Sequence, residues 1–187
     1  MTILLLENKV AWADWLNGNY DTSLGIWLRL AKKSAITGSV TYMEAIDVAL
    51  CYGWIDGQKR PESEHYWLQK FSPRAAKSIW SKINRDKALG LIATGHMMAA
   101  GLKEIERAKN DGRWDAAYEG ASKATVPADL QLALDANPKA KAFFKILNSQ
   151  NRYAILFRTQ TAKKPETRAK RIQQFIEMLA KNEKLYP

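Results

Sequence analysis

An acid and an arginine in the first half of the chain are the side chains best placed for binding chemistry. Asp56 follows the end of a predicted helix, where the helix dipole disfavours an anion, so a cation or hydrogen-bond donors must compensate its charge. The proline before Arg74 fixes the approach of its side chain, and a fixed guanidinium suits a carboxylate or a phosphate. Two interpretations of Asp56 stay open. It bonds its own backbone in a turn ahead of Gly57, or it pairs with a nearby arginine, of which the sequence offers Arg60, Arg74 and Arg85.

Small polar side chains mark a second possible anion site. Ser78, Ser81 and Asn84 stand where a helix is predicted to begin, and the free N–H groups of a helix start attract anions. Three neighbouring cations add to the attraction: Lys77, Lys82 and Arg85. The alternative is ordinary capping of this helix by Ser78.

Tryptophans alternate with cations in the same stretch, which is typical of a surface that stacks on nucleic acid bases. The tryptophans are Trp54, Trp67 and Trp80, and the cations are Lys59, Arg60, Lys70 and Arg74. The alternative is that the tryptophans are core residues, because each buries a large area on folding. The candidate ligand-binding residues are therefore Trp54, Asp56, Arg60, Arg74, Ser78, Trp80, Ser81 and Asn84.

Metal, cofactor and nucleophile chemistry find little support in the sequence. His65 and His96 lack the spacing of a metal-binding motif, and no P-loop, G-x-G-x-x-G or G-x-S-x-G sequence is present. The single cysteine, Cys51, lies on an apolar helix, where a cysteine is usually a small core residue. We therefore expect no metal, no cofactor and no catalytic residue, and we favour a non-enzymatic role over an enzymatic one.

The patterning of residues 1–117 predicts helices around a small antiparallel sheet. Thr41 and Glu44 have capping-box spacing, so a helix should run from Tyr42 to about Tyr52. Alternation predicts a strand at Gly25–Leu30 and a hairpin of Trp54–Arg60 and His65–Phe71 joined by residues 61–64. A tight turn at Asp56–Gly57 is the competing interpretation of this hairpin. Further helices are predicted at Lys9–Leu16, from Ser78 to Gly95 with Ile83, Leu91 and Ile92 inward, and at Ala99–Asn110.

The remainder of the chain predicts a helical unit. Residues 118–126, rich in small side chains, are the predicted linker, and residues 127–187 are predicted to form a basic helical unit packed on the first domain. Its helices should begin near Pro127, Pro138, Ser149 and Pro165, the last with an inward stripe of Ala169, Ile172, Phe175, Ile176 and Leu179. The expected fold class is α+β.

Most of the excess positive charge lies after residue 120. The chain of 187 residues carries a net charge of +10, and residues 121–187 hold +8 of it, with 13 Lys/Arg against 5 Asp/Glu. Such a density indicates an anionic partner, whether nucleic acid, acidic protein or anionic lipid; the alternative is a solvated face that aids solubility. Between residues 139 and 171 the only acid is Glu166, and the cations are Lys139, Lys141, Lys145, Arg152, Arg158, Lys163, Lys164, Arg168, Lys170 and Arg171.

Composition and cysteine content predict a folded protein of the cytoplasm. Apolar residues make up 47% of the chain and charged residues 26%, which is the ordinary globular range. One cysteine permits no intrachain disulfide, which fits a reducing compartment. The N-terminal residues have the pattern of neither a signal peptide nor an anchor, and no run approaches the roughly 18 apolar residues of a spanning helix.

Several short motifs extend over most of the chain: residues 42–45, 51–57 (CYGWIDG), 71–74 (FSPR), 80–84 (WSKIN), 111–114 (DGRW) and 162–172 (AKKPETRAKRI). In these motifs the chain resembles the bacterial YdeI/OmpD-associated family, called bacteriocin-protection proteins. The resemblance implies a role in tolerance to antimicrobial peptides or envelope stress, and it implies no catalytic residues, substrate or cofactor. A protein of charge +10 should repel cationic peptides, so direct capture of them would need a local acidic patch.

Three hypotheses follow from the sequence. The first is a binding protein for an anionic partner, with nucleic acid favoured, that uses the basic C-terminal helices, with or without the aromatic hairpin. The second is a small enzyme or ligand-binding domain with a pocket around Asp56 and Arg74. The third is a protein-interaction module without chemistry of its own.

Overall fold

The computed structural model describes residues 2–187 and confirms the α+β fold class. The chain divides into two compact units, Met1–Ala117 and Tyr118–Pro187. Residues 118–126, the predicted linker, fall in the second unit, and the packing of the second unit on the first stays a prediction. None of the helices in residues 2–187 is both long and apolar enough to span a bilayer.

The first unit contains a sheet and the helices that cover it. In chain order its elements are β1 (Ile3–Leu4), α1 (Lys9–Asn19), β2 (Ile26–Ala31), α2 (Tyr42–Cys51), β3 (Trp54–Pro61), β4 (Tyr66–Pro73), α3 (Lys82–Ala93) and α4 (Ala99–Asn110). The strand order is β1-β2-β4-β3. β4 pairs antiparallel with both β2 and β3, which confirms the predicted hairpin and the predicted strand at residues 25–30.

The sheet is mixed rather than antiparallel throughout. The difference comes from β1, which pairs in parallel with β2 and places Ile3 opposite Trp27. β1 was not predicted, because two residues are too few for the alternation on which a strand prediction depends.

Side chains from helices α1 to α4 and from one face of the sheet form the core of the first unit. Trp12 donates its indole N–H to the carbonyl of Ala45 at 3.1 Å, and Trp54 donates to the carbonyl of Tyr20 at 2.9 Å. Both indoles therefore fill the core without leaving a buried donor unsatisfied. The alternation predicted for β2 is confirmed, since its inward residues are fully buried: Ile26, Leu28 and Leu30.

Helix α3 begins at Lys82, four residues after the predicted start at Ser78. Ser81, and not Ser78, is its cap, because Ser81 Oγ accepts a hydrogen bond from the backbone N–H of Asn84 at 3.1 Å. The inward face of the helix also differs from the prediction. Ala88 is its buried residue, whereas two of the residues predicted to point inward are largely exposed: Ile83 and Ile92.

Most other helix starts agree with the caps read from the sequence. The capping box of Thr41 and Glu44 is present at α2, and its hydrogen bonds hold the pKa of Glu44 below its usual value. The second unit, residues 118–187, comprises α5 (Ala128–Asp135), α6 (Pro138–Ile146), α7 (Ser149–Gln160) and α8 (Pro165–Ala180). Pro138 and Pro165 open α6 and α8 as predicted, whereas α7 is capped by Asn148 instead of Ser149.

A separate core holds the four helices of the second unit together. The inward stripe of α8 is confirmed except for Ala169, which is exposed. Asn151 is fully buried and ties down the C-terminal tail, since its Oδ1 accepts from the backbone N–H of Tyr186 at 2.9 Å. The apolar core residues are Leu130, Leu134, Ala140, Phe144, Ile155, Leu156, Ile172, Phe175, Ile176 and Leu179.

Gly101 of α4 permits a close approach to the last turn of α2. A Cβ at this position would lie 2.5 Å from the carbonyl oxygen of Cys51 and 2.6 Å from that of Leu50, and it would also overlap Met97 Sδ. Backbone oxygens cannot yield as a flexible side chain can. The absence of a side chain at Gly101 is therefore a condition for the packing of α4 on α2.

We predict that Gly101→Ala lowers the free energy of unfolding by about 1–3 kcal/mol, because overpacking forces the two helices apart. Gly90→Ala in α3 is the matched control, since no atom lies within 4 Å of its Cβ position. The control should be neutral or stabilising by up to about 1 kcal/mol through helix propensity. Urea unfolding measures both variants, and equal stability of the two would contradict the close approach.

Candidate functional site

A β-bulge in β3 decides where the side chains of the hairpin point. Asp56 is paired with Phe71 and Lys59 with Gln69, so residues 57 and 58 together oppose a single residue of β4. The competing interpretation of a tight turn at Asp56–Gly57 is wrong, since β3 continues to Pro61. The glycine marks the bulge instead.

Gln69 holds this bulge from the neighbouring strand. Its side chain is only 3% exposed, and its amide nitrogen donates to the carbonyls of Gly57 at 2.9 Å and Gln58 at 3.3 Å. These are the two residues that the bulge displaces from regular pairing. A buried amide therefore satisfies carbonyls that would otherwise lack a partner.

The residues that follow the bulge go to opposite faces of the sheet. Arg60 is paired with Leu68, and its guanidinium carbon lies 3.8 Å from the ring centroid of Trp27 on the same face. Pro61 is paired with Trp67 and shares the other face with it. The hairpin thus carries a cation–π pair on one face and a half-buried tryptophan on the other.

A recess of about 360 Å³ lies beside Trp67. Its lining consists of Lys32, Lys59, Arg60, Pro61 and Trp67, so among the described residues no acid lines it. The Trp67 ring is supported by Tyr42, whose ring centroid is 5.9 Å away. The recess therefore combines an aromatic wall with positive charge.

Asp56 binds Tyr42, the residue whose ring packs beside Trp67. Its Oδ2 accepts a hydrogen bond of 2.7 Å from the hydroxyl of Tyr42. Arg74 has different surroundings, because its guanidinium carbon lies 3.6 Å over the ring of Trp80. Separate partners therefore hold the two side chains that the sequence singled out first.

Arg74 is buried and is held by hydrogen bonds to backbone carbonyls. The residue is 5% exposed, its backbone N–H donates to the carbonyl of Gly53 at 3.0 Å, and its Nη1 donates to that of Ile79 at 3.4 Å. Trp80 and Trp54 are 2% and 1% exposed, so the core interpretation holds for both. Arg74 also borders a cavity of about 230 Å³ together with Lys103, Glu104 and Arg107.

Ser78, Ser81 and Asn84 form the turn that leads into α3. The carbonyl of Ser78 accepts from Nη1 of the buried Arg113 at 2.6 Å, and its backbone N–H donates to Ala75 at 2.9 Å. Ser81 caps the helix through the N–H of Asn84. These contacts are those of a turn and a cap, the alternative that the sequence left open.

Cys51 lies at the edge of another cavity, of about 390 Å³, bordered also by Val48, Tyr52, Leu91 and His96. Burial, with a smaller contribution from the charge of Asp47, raises the pKa of the Cys51 thiol to about 11. The thiol is therefore protonated at neutral pH and is a poor nucleophile. In residues 2–187 no group of three or more His, Cys, Asp or Glu side chains is arranged to hold a metal ion.

Some of the cations of the second unit are held by its own structure. Arg168 makes two hydrogen bonds with Asp129, at 2.5 and 2.9 Å, which hold the pKa of Asp129 below its usual value, and a third with the carbonyl of Thr159 at 2.7 Å. Arg171 donates to the carbonyl of Arg158 at 2.6 Å. These two arginines thus satisfy carbonyls in the last turn of α7.

Three further members of the predicted basic face have partners within the second unit. Lys141 pairs with Asp135 at 2.7 Å, the guanidinium of Arg152 lies 4.7 Å over the ring of Phe144, and Nη2 of Arg158 donates to the Tyr186 hydroxyl at 3.3 Å. The other members are exposed lysines, and within residues 2–187 none of them forms a salt bridge: Lys139, Lys145, Lys163, Lys164 and Lys170.

Sequence reasoning missed Gln69 and Lys32 and gave Trp67 no place in the final candidate set. Gln69 has no signal of its own, although a glycine inside a strand indicates a bulge that needs support. Lys32 enters the site only because β2 ends beside the hairpin loop, where its Nζ donates to the carbonyl of Ser63 at 2.7 Å.

We predict that Gln69→Leu lowers Tm by about 3–9 °C, because the change leaves buried carbonyls without a donor at a loss of about 1–3 kcal/mol. Gln58→Leu is the matched control, since that side chain is exposed on the same bulge. Its expected effect is within about 0.5 kcal/mol. Thermal unfolding followed by circular dichroism measures both, and an unchanged Tm for Gln69→Leu would show that the amide does not support the bulge.

Two family models match different parts of the chain. Residues 4–104, more than half of the chain, match the family described as Domain of unknown function (DUF8412). Residues 123–182 match the family described as Bacteriocin-protection, YdeI or OmpD-Associated. No curated protein and no solved structure matches the chain.

The motifs that carry the resemblance in the sequence are divided between the two matched ranges. The motif at residues 162–172 lies in the YdeI/OmpD-associated match, whereas the motifs at residues 42–84 lie in the other. The chain therefore belongs to the DUF8412 family, whose model covers residues 4–104, and its residues 123–182 match the YdeI/OmpD-associated, bacteriocin-protection family over a smaller part of the chain.

Proposed function

We propose that the chain is a non-enzymatic, cytoplasmic binding protein for an anionic partner, namely nucleic acid, and that it acts in stress or antimicrobial-peptide tolerance. The observation that carries the proposal is a cluster of exposed cations where α7 ends and α8 begins. This cluster, here called the basic corner, consists of Arg158, Lys163, Lys164 and Lys170.

The acids of the second unit do little to neutralise the basic corner. Residues 121–187 contain five acids, and two of these, Asp129 and Asp135, already pair with Arg168 and Lys141. Between residues 158 and 170 the only acid is Glu166. The local field is therefore strongly positive and attracts polyanions.

The helices hold the basic corner in place. Arg168 and Arg171 of α8 bind carbonyls at the end of α7, so the two helix ends are tied together. Lys164 is the N-cap of α8 and makes no side-chain cap bond, so the first-turn N–H groups and the positive end of the helix dipole add to its charge. A phosphate backbone presents the complementary row of negative charges.

Nucleic acid also fits the rest of the chain better than a cationic peptide does. The net charge of +10 opposes direct capture of cationic peptides. A role in peptide tolerance would then be indirect, through an anionic cellular partner. The family description Bacteriocin-protection supports this part of the proposal by name alone.

We predict that the chain binds duplex DNA at low salt and that log affinity falls against log salt with a slope near −3.6, for about four phosphates engaged. The triple variant Lys163→Gln, Lys164→Gln, Lys170→Gln should reduce the slope by about 2.7. Fluorescence anisotropy with labelled duplex and single-stranded oligonucleotides, over a series of salt concentrations, provides the measurement.

The control variant carries the same change of charge at exposed lysines outside the basic corner: Lys77→Gln, Lys181→Gln and Lys184→Gln. Equal slopes for the two triple variants would assign the attraction to net charge and not to the basic corner. Absence of binding to either oligonucleotide at low salt would end the proposal. A stoichiometric protein partner that survives nuclease treatment in a pull-down would favour a protein-interaction module instead.

A further inference from the structure

We propose that the recess beside Trp67 in the first unit is a binding site for a planar aromatic ring that carries an anionic group, the chemistry of a nucleotide. The site lies in the first unit, outside the basic corner, and does not depend on the function proposed above. Its lining brings together one aromatic ring and three cationic residues, and among residues 2–187 no carboxylate lines it.

The cations of the recess keep their charge available for a ligand. Lys59 is exposed, and within residues 2–187 its ammonium group forms no salt bridge or hydrogen bond. The Lys32 ammonium donates to a neutral carbonyl, that of Ser63, which leaves its charge uncompensated and further N–H groups for an anion. The hairpin loop contains two acids: Glu64 does not line the recess, and Glu62 is held away by Arg29 through two hydrogen bonds of 2.6 and 2.8 Å.

Arg60 contributes in a different way. The residue borders the recess, but its guanidinium stacks over Trp27 on the opposite face of the sheet. The β-bulge produces this split, because it sends Arg60 to the face of Trp27 and Pro61 to the face of Trp67. The wall of the recess is therefore fixed by backbone geometry.

Trp67 is held ready for stacking. It is half-buried, its neighbour across the strand pair is Pro61, and Tyr42 packs beside it at 5.9 Å with the ring planes at 46°. The hydrogen bond from Tyr42 to Asp56 fixes the orientation of that supporting ring. Asp56 is thus a positioning residue, two contacts away from the ligand.

The size and composition of the recess select the ligand class. About 360 Å³ lies near the lower end of the range for small-ligand sites, roughly 300–1,000 Å³, which suits one ring system with one charged group. A cationic ligand would be repelled by Lys32 and Lys59. A purely apolar ligand would form no ion pair with the cations. A phosphate without a ring would not stack on Trp67.

Titration of the full chain with adenosine 5′-monophosphate, followed by saturation-transfer NMR, tests the proposal. Adenosine and inorganic phosphate supply the ring and the anion separately, and each should bind at least about fivefold more weakly, because stacking and charge contribute independently. Adenosine that binds as well as the monophosphate would overturn the anionic part, and phosphate that binds as well would overturn the aromatic part.

Two variants locate the binding. Lys59→Glu should weaken the monophosphate about five- to tenfold, because it replaces attraction by repulsion, whereas Lys33→Glu, an exposed lysine that does not line the recess, should change it less than twofold. Trp67→Leu should weaken it at least about fivefold through lost stacking, with far-UV circular dichroism as the check on folding. Equal binding by the Lys59 and Lys33 variants would overturn the site.

Titration with a single-stranded hexadeoxyadenylate distinguishes a free nucleotide from a nucleic acid strand as the ligand. Affinity similar to that of the monophosphate indicates a free nucleotide, and much tighter binding indicates a single strand that extends beyond the recess. The triple variant of the basic corner should leave binding of the monophosphate unchanged, so failure of the function proposed above and failure of this site give different results. Absence of binding by the monophosphate and by the hexanucleotide would end the proposal.

Discussion

The arrangement of the hairpin depends on one buried amide, that of Gln69. Its hydrogen bonds to the carbonyls of Gly57 and Gln58 stabilise two residues of β3 opposite one residue of β4. With regular pairing from Asp56 onward, Lys59 would oppose Leu68 and Arg60 would oppose Trp67, because a shift of one residue exchanges the two faces of a strand. The guanidinium now over Trp27 would then lie on the face of Trp67 and occupy the recess itself.

The motif residues that follow the hairpin have a structural explanation of the same kind. Arg107 reaches back from α4 to donate to the carbonyls of Arg74 and Ala75, at 3.4 and 3.2 Å, and it also pairs with Glu104. The flat face of the Arg74 guanidinium rests on Trp80, which packs edge-on against Trp114 at 4.9 Å. Arginines therefore fix the backbone of this turn by binding carbonyls and aromatic faces.

Local signals were enough to predict the parts of the fold that are stabilised locally. The capping box of Thr41 and Glu44, the prolines that open α6 and α8, and the alternation of β2 all act within a few residues of chain. The start of α3 could not be predicted in this way. Ser78 and Ser81 are equally good caps by sequence, and the contact that holds Ser78 in the turn comes from Arg113, far along the chain.

The candidate site also depends on contacts between residues that are distant in sequence, which local signals do not predict. The sequence identified the aromatic and basic hairpin, yet it selected Trp54 and Trp80, which are core, and left Trp67 out of the set. Trp54 and Trp67 lie on the same face of the sheet, so their position along it decides which one borders solvent: Trp54 begins β3 within the core, whereas Trp67 lies beside the hairpin loop. The partner of Asp56 was equally hidden, since Tyr42 reaches it from the first turn of α2 and not from the arginines nearby in sequence.

The two proposed binding surfaces rest on different physics, which makes them separable in solution. The attraction of the basic corner is mainly long-range and is screened over roughly 8 Å at physiological ionic strength. Stacking on Trp67 is a short-range contact that salt affects little, with only the part due to Lys32 and Lys59 open to screening. A ligand that engages the recess alone should therefore keep most of its affinity as salt rises, whereas one that depends on the basic corner should lose affinity with every phosphate contact that salt replaces.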